Sequence, residues 1–300
     1  MNTRSIARFV VIGTIIFCFS PGMARAAEPD ANGTALPNSE EDGAADSQAE
    51  LAKKLQNPVS NVISAPFQNN FDFNIGPNAD GFRYTMNFQP VVPISISKDY
   101  NLIIRTIVPF IHQDDVIPGT RQDGLSDITQ SFFVATKKPT GGWILALGPA
   151  FLWPTGTDDL LGSEKWGAGP TGIALQQKGP WTYGMLANHI WSYAGNDHRA
   201  YVSSTFLQPF LSYTTKSHTT FGLNTESSYD WRAEQWTVPV NLSVSQLTKI
   251  GKMPISFALG FKYYADAPTG NADWGVRFTV TPVFPVGAKE SVSHSIADNK

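Results

Sequence analysis

Cysteine is almost missing from this sequence. The one cysteine of the 300 residues is Cys18, inside an N-terminal apolar run, so a chain that loses that run has no thiol, disulfide or cysteine metal site. Charge is scarce too: Asp, Glu, Lys and Arg make up 16% of residues, against about 25% in soluble globular chains. That excludes the densely charged surface of an ordinary soluble domain. Long apolar runs are also lacking, since beyond the N-terminus none approaches the roughly 18 residues of a spanning helix. The mean hydropathy of −0.16 is far too polar for a bundle of membrane helices. No basic patch is present to suggest a nucleic-acid partner. What is abundant is aromatic: 12% of residues, with eight Trp and nineteen Phe. Little charge, many aromatics and no long apolar run together describe the alternating strands of a membrane β-barrel.

The termini read differently from the rest. Arg4 and Arg8 precede the apolar run Phe9 to Phe19, and Ala24-Arg25-Ala26 offers small residues for a cleavage site, so 1–26 reads as an export signal peptide. Residues 27–50 hold seven acids and no base among small and polar residues, which predicts a disordered acidic leader. Residues 51–60 read as a short periplasmic segment, with one helical turn over Leu51 to Gln56 that Pro58 ends. The barrel is expected over 61–286 and a polar tail over 287–300.

Between these ends one pattern repeats: segments of ten to fourteen residues alternating apolar and polar, separated by turn residues. The second segment shows it best, with Phe82, Tyr84, Met86 and Phe88 against Arg83, Thr85, Asn87 and Gln89. Counting along the chain gives about twelve. The fold class is therefore all-β, a transmembrane antiparallel up-and-down β-barrel preceded by a signal peptide and a leader. An even count returns both termini to the periplasm, with the longer connections outside.

Tryptophan supplies an independent check, because indole rings settle at the membrane interface. All eight sit near segment ends. Trp143 and Trp153 bound one segment and Trp181 and Trp191 another; ten residues at a rise of about 3.3 Å and a tilt of about 40° span roughly 25 Å, the height of a barrel's apolar band. Eight prolines (Pro90, Pro93, Pro109, Pro149, Pro170, Pro209, Pro239 and Pro282) fall inside the segments and each removes a ladder donor. They predict bulges or bends.

Several short runs carry a family resemblance: Leu55-Gln56-Asn57-Pro58-Val59-Ser60, Pro66-Phe67-Gln68-Asn69-Asn70, Asn87-Phe88-Gln89-Pro90, Trp166-Gly167-Ala168-Gly169-Pro170-Thr171, Trp191-Ser192-Tyr193-Ala194-Gly195, Gln208-Pro209-Phe210 and Trp274-Gly275-Val276-Arg277. Over residues 51–286 the chain resembles the outer-membrane barrels named for a MetA pathway of phenol degradation and described as transporters. The resemblance implies a barrel of a Gram-negative outer membrane and passage of small compounds, aromatic ones among them. It supplies no catalytic residues.

No enzyme signature stands out, and neither a cofactor nor a metal is expected. Glu226 and Asp230 lie four residues, roughly 13 Å, apart on one strand face, too far for a glycosidase pair unless other strands contribute. The five histidines have no metal-ligand spacing. His189 with Ser192 or Ser203 gives the weighed alternative of an interfacial lipid hydrolase, against a polar interfacial histidine. A glycine-rich run at 167–172 lacks the Lys-Ser/Thr of a P-loop. Three readings stand: a channel or substrate-specific porin, a structural or adhesive barrel, and the hydrolase. Parity turns Arg83, Arg105, Lys262 and Arg277 inward on neighbouring strands, Glu226 and Asp230 inward about half a circumference away, and Asp72 and Asp127 inward as well. These eight are the candidate pore-lining residues, with Asp72 placed to pair with Arg83, and they predict either a transverse field or an ion-pair network. The expected partners are membrane lipid, small solutes and the barrel-insertion machinery, which would read Trp274 to Phe284 as the closing strand.

Overall fold

A computed structural model describes residues 39–284; the signal peptide, the leader up to residue 38 and the polar tail lie outside the described residues. One antiparallel sheet closes on itself as a twelve-stranded barrel. In chain order its strands are β1 (Phe67–Ile75), β2 (Gly81–Phe88 continuing as Val91–Ser95), β3 (Tyr100–Asp114), β4 (Arg121–Leu125 continuing as Ile128–Thr136), β5 (Trp143–Trp153), β6 (Lys165–Lys178), β7 (Trp181–Gly195), β8 (Ser203–Thr214), β9 (Thr219–Thr225 continuing as Ser227–Asp230), β10 (Gln235–Ile250), β11 (Met253–Asp266) and β12 (Trp274–Phe284). Each strand pairs with its sequence neighbours, and β12 pairs with β1 through Trp274↔Phe73 to Val280↔Phe67. No edge is left open, so the ladders satisfy most of the wall's backbone groups without water.

The alternation in the sequence becomes the two faces of the wall. Leu145, Leu147, Met185, Leu211, Phe221, Leu242, Leu259 and Phe261 point outward and are exposed, which is how a lipid-facing belt looks without lipid. Aromatics rim the belt: Trp143 and Trp181 stand at one end, and Trp153, Trp166, Trp191, Trp231, Trp236 and Trp274 at the other. The end with two tryptophans carries the short turns, such as the two-residue connections at 179–180 and 251–252, and is the periplasmic end. The architecture is that of an outer-membrane β-barrel.

The prolines disturb the ladders as expected. Gln89-Pro90 interrupts β2, and the β10–β11 register shifts between Val238 and Pro239. Pro149 of β5 lies opposite Pro170 of β6, and the ladders to β4 and β7 lose their pairs at the same height. Gly148, next to Pro149, is needed there, because a Cβ on it would run into the Phe132 carbonyl oxygen of β4.

The N-terminal segment differs from expectation. Helix α1 covers Ser39–Leu55, so residues 39–50 are helical and not part of a disordered leader. Four alanines (Ala44, Ala45, Ala49 and Ala52) favour helix, and acids at its start with Lys53 and Lys54 in its last turn match the helix dipole. Nor does residues 51–60 lie free in the periplasm. The helix end rests against β8, β9 and β10, and Gln177 of β6 donates a hydrogen bond from Nε2 to the Lys53 carbonyl at 2.9 Å. Val59 is 4% exposed and belongs to an inward-facing cluster with Val91, Ile103, Phe133, Ala146 and Leu175. Those contacts come from β2 to β6 on one side and β8 to β10 on the other, so the segment crosses the periplasmic mouth from inside. A two-residue strand, Ile63–Ser64, then ties the chain to β12 and β2 before the barrel begins.

Candidate functional site

The lumen has two unlike halves. From β3 to β8 its wall is the more apolar, with Ile103, Phe133, Ala150, Ile173, Leu186 and Phe206 facing in among small polar residues such as Ser131, Thr171 and Thr182. From β9 round through β12 to β3 it carries the charges. Glu226, in the break of β9, takes a bidentate grip from Arg277 of β12: Nη1 donates to Oε1 at 3.0 Å and Nη2 to Oε2 at 2.7 Å. Two strands lie between them, so this pair reaches across the lumen. Arg277 Nε donates to Asn70 Oδ1 at 2.7 Å, which fixes the guanidinium plane. Lys262 of β11 reaches over β12 to Asp72 of β1 at 3.0 Å, and the Tyr264 hydroxyl donates to the same carboxylate at 3.2 Å.

The register of closure decides these partners. Asp72 lies directly opposite Arg83 in the β1–β2 ladder, yet the expected pair between them does not form. Arg83 Nε instead donates to Gln113 Oε1 at 2.8 Å, and Asp72 is taken by Lys262, which is 5% exposed and has no other carboxylate bond among the described residues. Arg105 has neither carboxylate, and its Nη2 donates to Gln89 Oε1 at 3.0 Å. Four cations thus share two carboxylates in the middle of the lumen, a net positive lining.

Two candidate residues do not belong to that lining. Asp230 ends β9 and is exposed, its Oδ1 accepting from the Arg232 and Ala233 backbone amides at 2.8 and 3.1 Å. Parity cannot see where a strand stops, and here the carboxylate shapes the turn. Asp127 keeps its inward parity, but it accepts from Gly156 N at 3.1 Å and Ser163 N at 2.7 Å. Its charge is spent on the backbone of the connection 154–164, which it holds against the inner side of β4. Polar residues overlooked in the sequence complete the site: Asn70, Gln89, Gln113 and Tyr264. Each shares the parity of a neighbouring charge, which was the available signal.

His189 faces outward near the external rim, with its ring 4.0 Å from Trp191. Its Nδ1 bonds the Thr205 hydroxyl at 2.7 Å. The weighed serine pairs are not made: the Ser192 hydroxyl oxygen accepts from the Val202 amide at 2.9 Å.

Between the two halves, above the segment that crosses the periplasmic mouth, lies a cavity of about 360 Å³. Arg105, Glu226, Gln68 and Gln89 line it together with Ile107, Leu152, Ile190 and Phe206, and Ser131, Asn188 and Ser204 stand among the apolar residues.

No protein-family model and no curated protein matches the sequence. Solved structures do. An outer membrane channel from Pseudomonas putida F1 superposes with a TM-score of 0.59 at 12% identity, over 75% of this chain and 96% of that one. The fold is shared. A NanC porin gives a TM-score of 0.47 at 8% identity, over 74% and 98% of the two chains. Outer membrane phospholipase A from Escherichia coli gives 0.44 at 12% identity, over 78% and 97%. These last two resemblances are too loose to carry an argument about the site.

Proposed function

We propose that this barrel is a passive outer-membrane channel for small molecules, aromatic compounds among them, as its likeness to the MetA-type barrels implies. The observation that carries the reading is the cavity in mid-lumen, lined by inward side chains of both halves. A barrel built only as a wall would gain by filling that space with side chains. The Asp72–Lys262 and Glu226–Arg277 pairs, with Arg83 and Arg105, line the path. The membrane lipid contacts the outward belt, and the closing strand β12 is the segment the insertion machinery would engage.

Purified protein in planar bilayers tests this. Discrete conductance steps that rise with salt, and uptake of small solutes by reconstituted vesicles, are expected. A second reading, a closed structural or adhesive barrel, draws support from the segment 51–62 across the periplasmic mouth. It prevails if neither the full chain nor a variant freed of that segment conducts. Lipid turnover by the purified protein would instead support the hydrolase.

A further inference from the structure

The mid-lumen cavity is built for one kind of solute. Ile107, Leu152, Ile190, Val202 and Phe206 give apolar surface to a cavity of about 360 Å³, with Thr129, Ser131, Asn188 and Ser204 between them, and the volume is within the roughly 300–1,000 Å³ of small-molecule sites. On the polar wall the two charges are unequal. Both oxygens of Glu226 are held by Arg277, so that carboxylate is compensated. Arg105 carries five N–H donors, and among the described residues its hydrogen bonding is to Gln89 alone. A guanidinium this deep, with donors to spare beside an apolar surface, matches a planar oxyanion joined to an apolar body.

We infer that the cavity binds a small organic monocarboxylate with a flat apolar body, its carboxylate on Arg105 and its body against Ile190, Phe206 and their neighbours. The inference rests on the channel reading only in that the lumen must admit a solute. An inorganic anion would leave the apolar wall unused, and a multiply charged one would meet Glu226. A neutral aromatic alcohol leaves the Arg105 donors unmatched, which is costly in a site made for charge. A cation meets Arg105 and Arg277.

Saturation-transfer NMR on the detergent-folded chain tests this without any need for flow, using benzoate, benzyl alcohol and inorganic phosphate as probes. Benzoate is expected to bind about tenfold or more tighter than benzyl alcohol, the worth of a charge-assisted bond, and phosphate is expected not to displace it at equal concentration. Arg105→Gln should bring benzoate down to the level of the alcohol, with Arg105→Lys between, since an ammonium keeps charge and loses the fork. Equal binding of benzoate and benzyl alcohol by the unaltered chain overturns the inference, as does undiminished benzoate binding by folded Arg105→Gln or ready displacement by phosphate. Where Arg105→Gln does not fold, the comparison of probes on the unaltered chain decides. Benzoate binding without conductance would remove the channel and leave the site; conductance without benzoate binding would do the reverse.

Discussion

Val59 offers the most direct test of whether the segment across the periplasmic mouth governs flow. Its side chain is 4% exposed among Val91, Ile103, Phe133 and Leu175, and burial of a valine is worth about 1.5–3 kcal/mol. Val59→Asp forfeits that and leaves a polar group without a partner, for a further cost of about 1–3 kcal/mol. The total of about 2.5–6 kcal/mol shifts the balance between seated and released segment by roughly 60-fold or more, at about 1.4 kcal/mol per decade. Val59→Ala, which loses two methyl groups at about 0.8 kcal/mol each, should shift it roughly tenfold. The wall ladders do not involve Val59, so heat-modifiable migration should survive in both variants. In planar bilayers the expected outcome is a graded rise in mean conductance, Ala then Asp, together with new protease cleavage near residues 56–62. Cleavage without any change in conductance would refute the reasoning, because the segment would then be displaced with no effect on flow.

Three other perturbations probe the lining and the wall. Glu226→Gln releases Arg277 and makes the lumen more positive, so reversal potentials in a salt gradient should move toward anions; Asp230→Asn, whose carboxylate only shapes a turn, should leave them unchanged. Asp72→Asn strands the Lys262 ammonium, which should cost about 3–5 kcal/mol in urea unfolding, while Asp72→Asn with Lys262→Met restores most of it; equal losses in both would show the pair is not coupled. Gly148→Ala drives a Cβ into the Phe132 carbonyl oxygen and should destabilise the barrel by about 1–3 kcal/mol in the same assay, with selectivity untouched.

The strands were legible because their signal is local. Alternation within ten residues tells which side chains face in, and it placed Arg83, Arg105, Lys262, Arg277, Asp72 and Glu226 on the lumen side with no knowledge of the closed form. Tryptophan at the segment ends marked both rims for the same reason. The partners were not legible, because they depend on closure. Lys262 is 190 residues from Asp72 in sequence, whereas Arg83, its ladder neighbour, is turned away by Gln113. The placement of residues 51–62 was hidden for a related cause. A helix end followed by Asn57-Pro58-Val59 looks like any short connector, and only the apolar inner wall, assembled from β2 to β7, gives Val59 somewhere to bury. Asp127 and Asp230 show the limit of parity itself: each sits at a strand break or end, where the backbone of a connection claims the carboxylate.

The separation of the lumen into two halves follows from how charge can be tolerated inside a narrow barrel. Buried ions are costly unless paired or wet, so the four cations and two carboxylates are gathered on neighbouring strands, where long side chains can reach over one or two strands to a partner. The opposite wall, with fewer charges, packs Ile103, Phe133 and Leu175 into one cluster that seats Val59. On the channel reading, barrier and resting place are made of different residues: the segment of Val59 lies across the periplasmic mouth, whereas Arg105 and Phe206 line the cavity. On that reading a solute entering from outside would reach the cavity without meeting Val59, and would meet the seated segment only on leaving. Binding in the cavity and release of the segment would then depend on different residues, so a substitution at Arg105 would change how long a solute stays without changing how often the segment lets go.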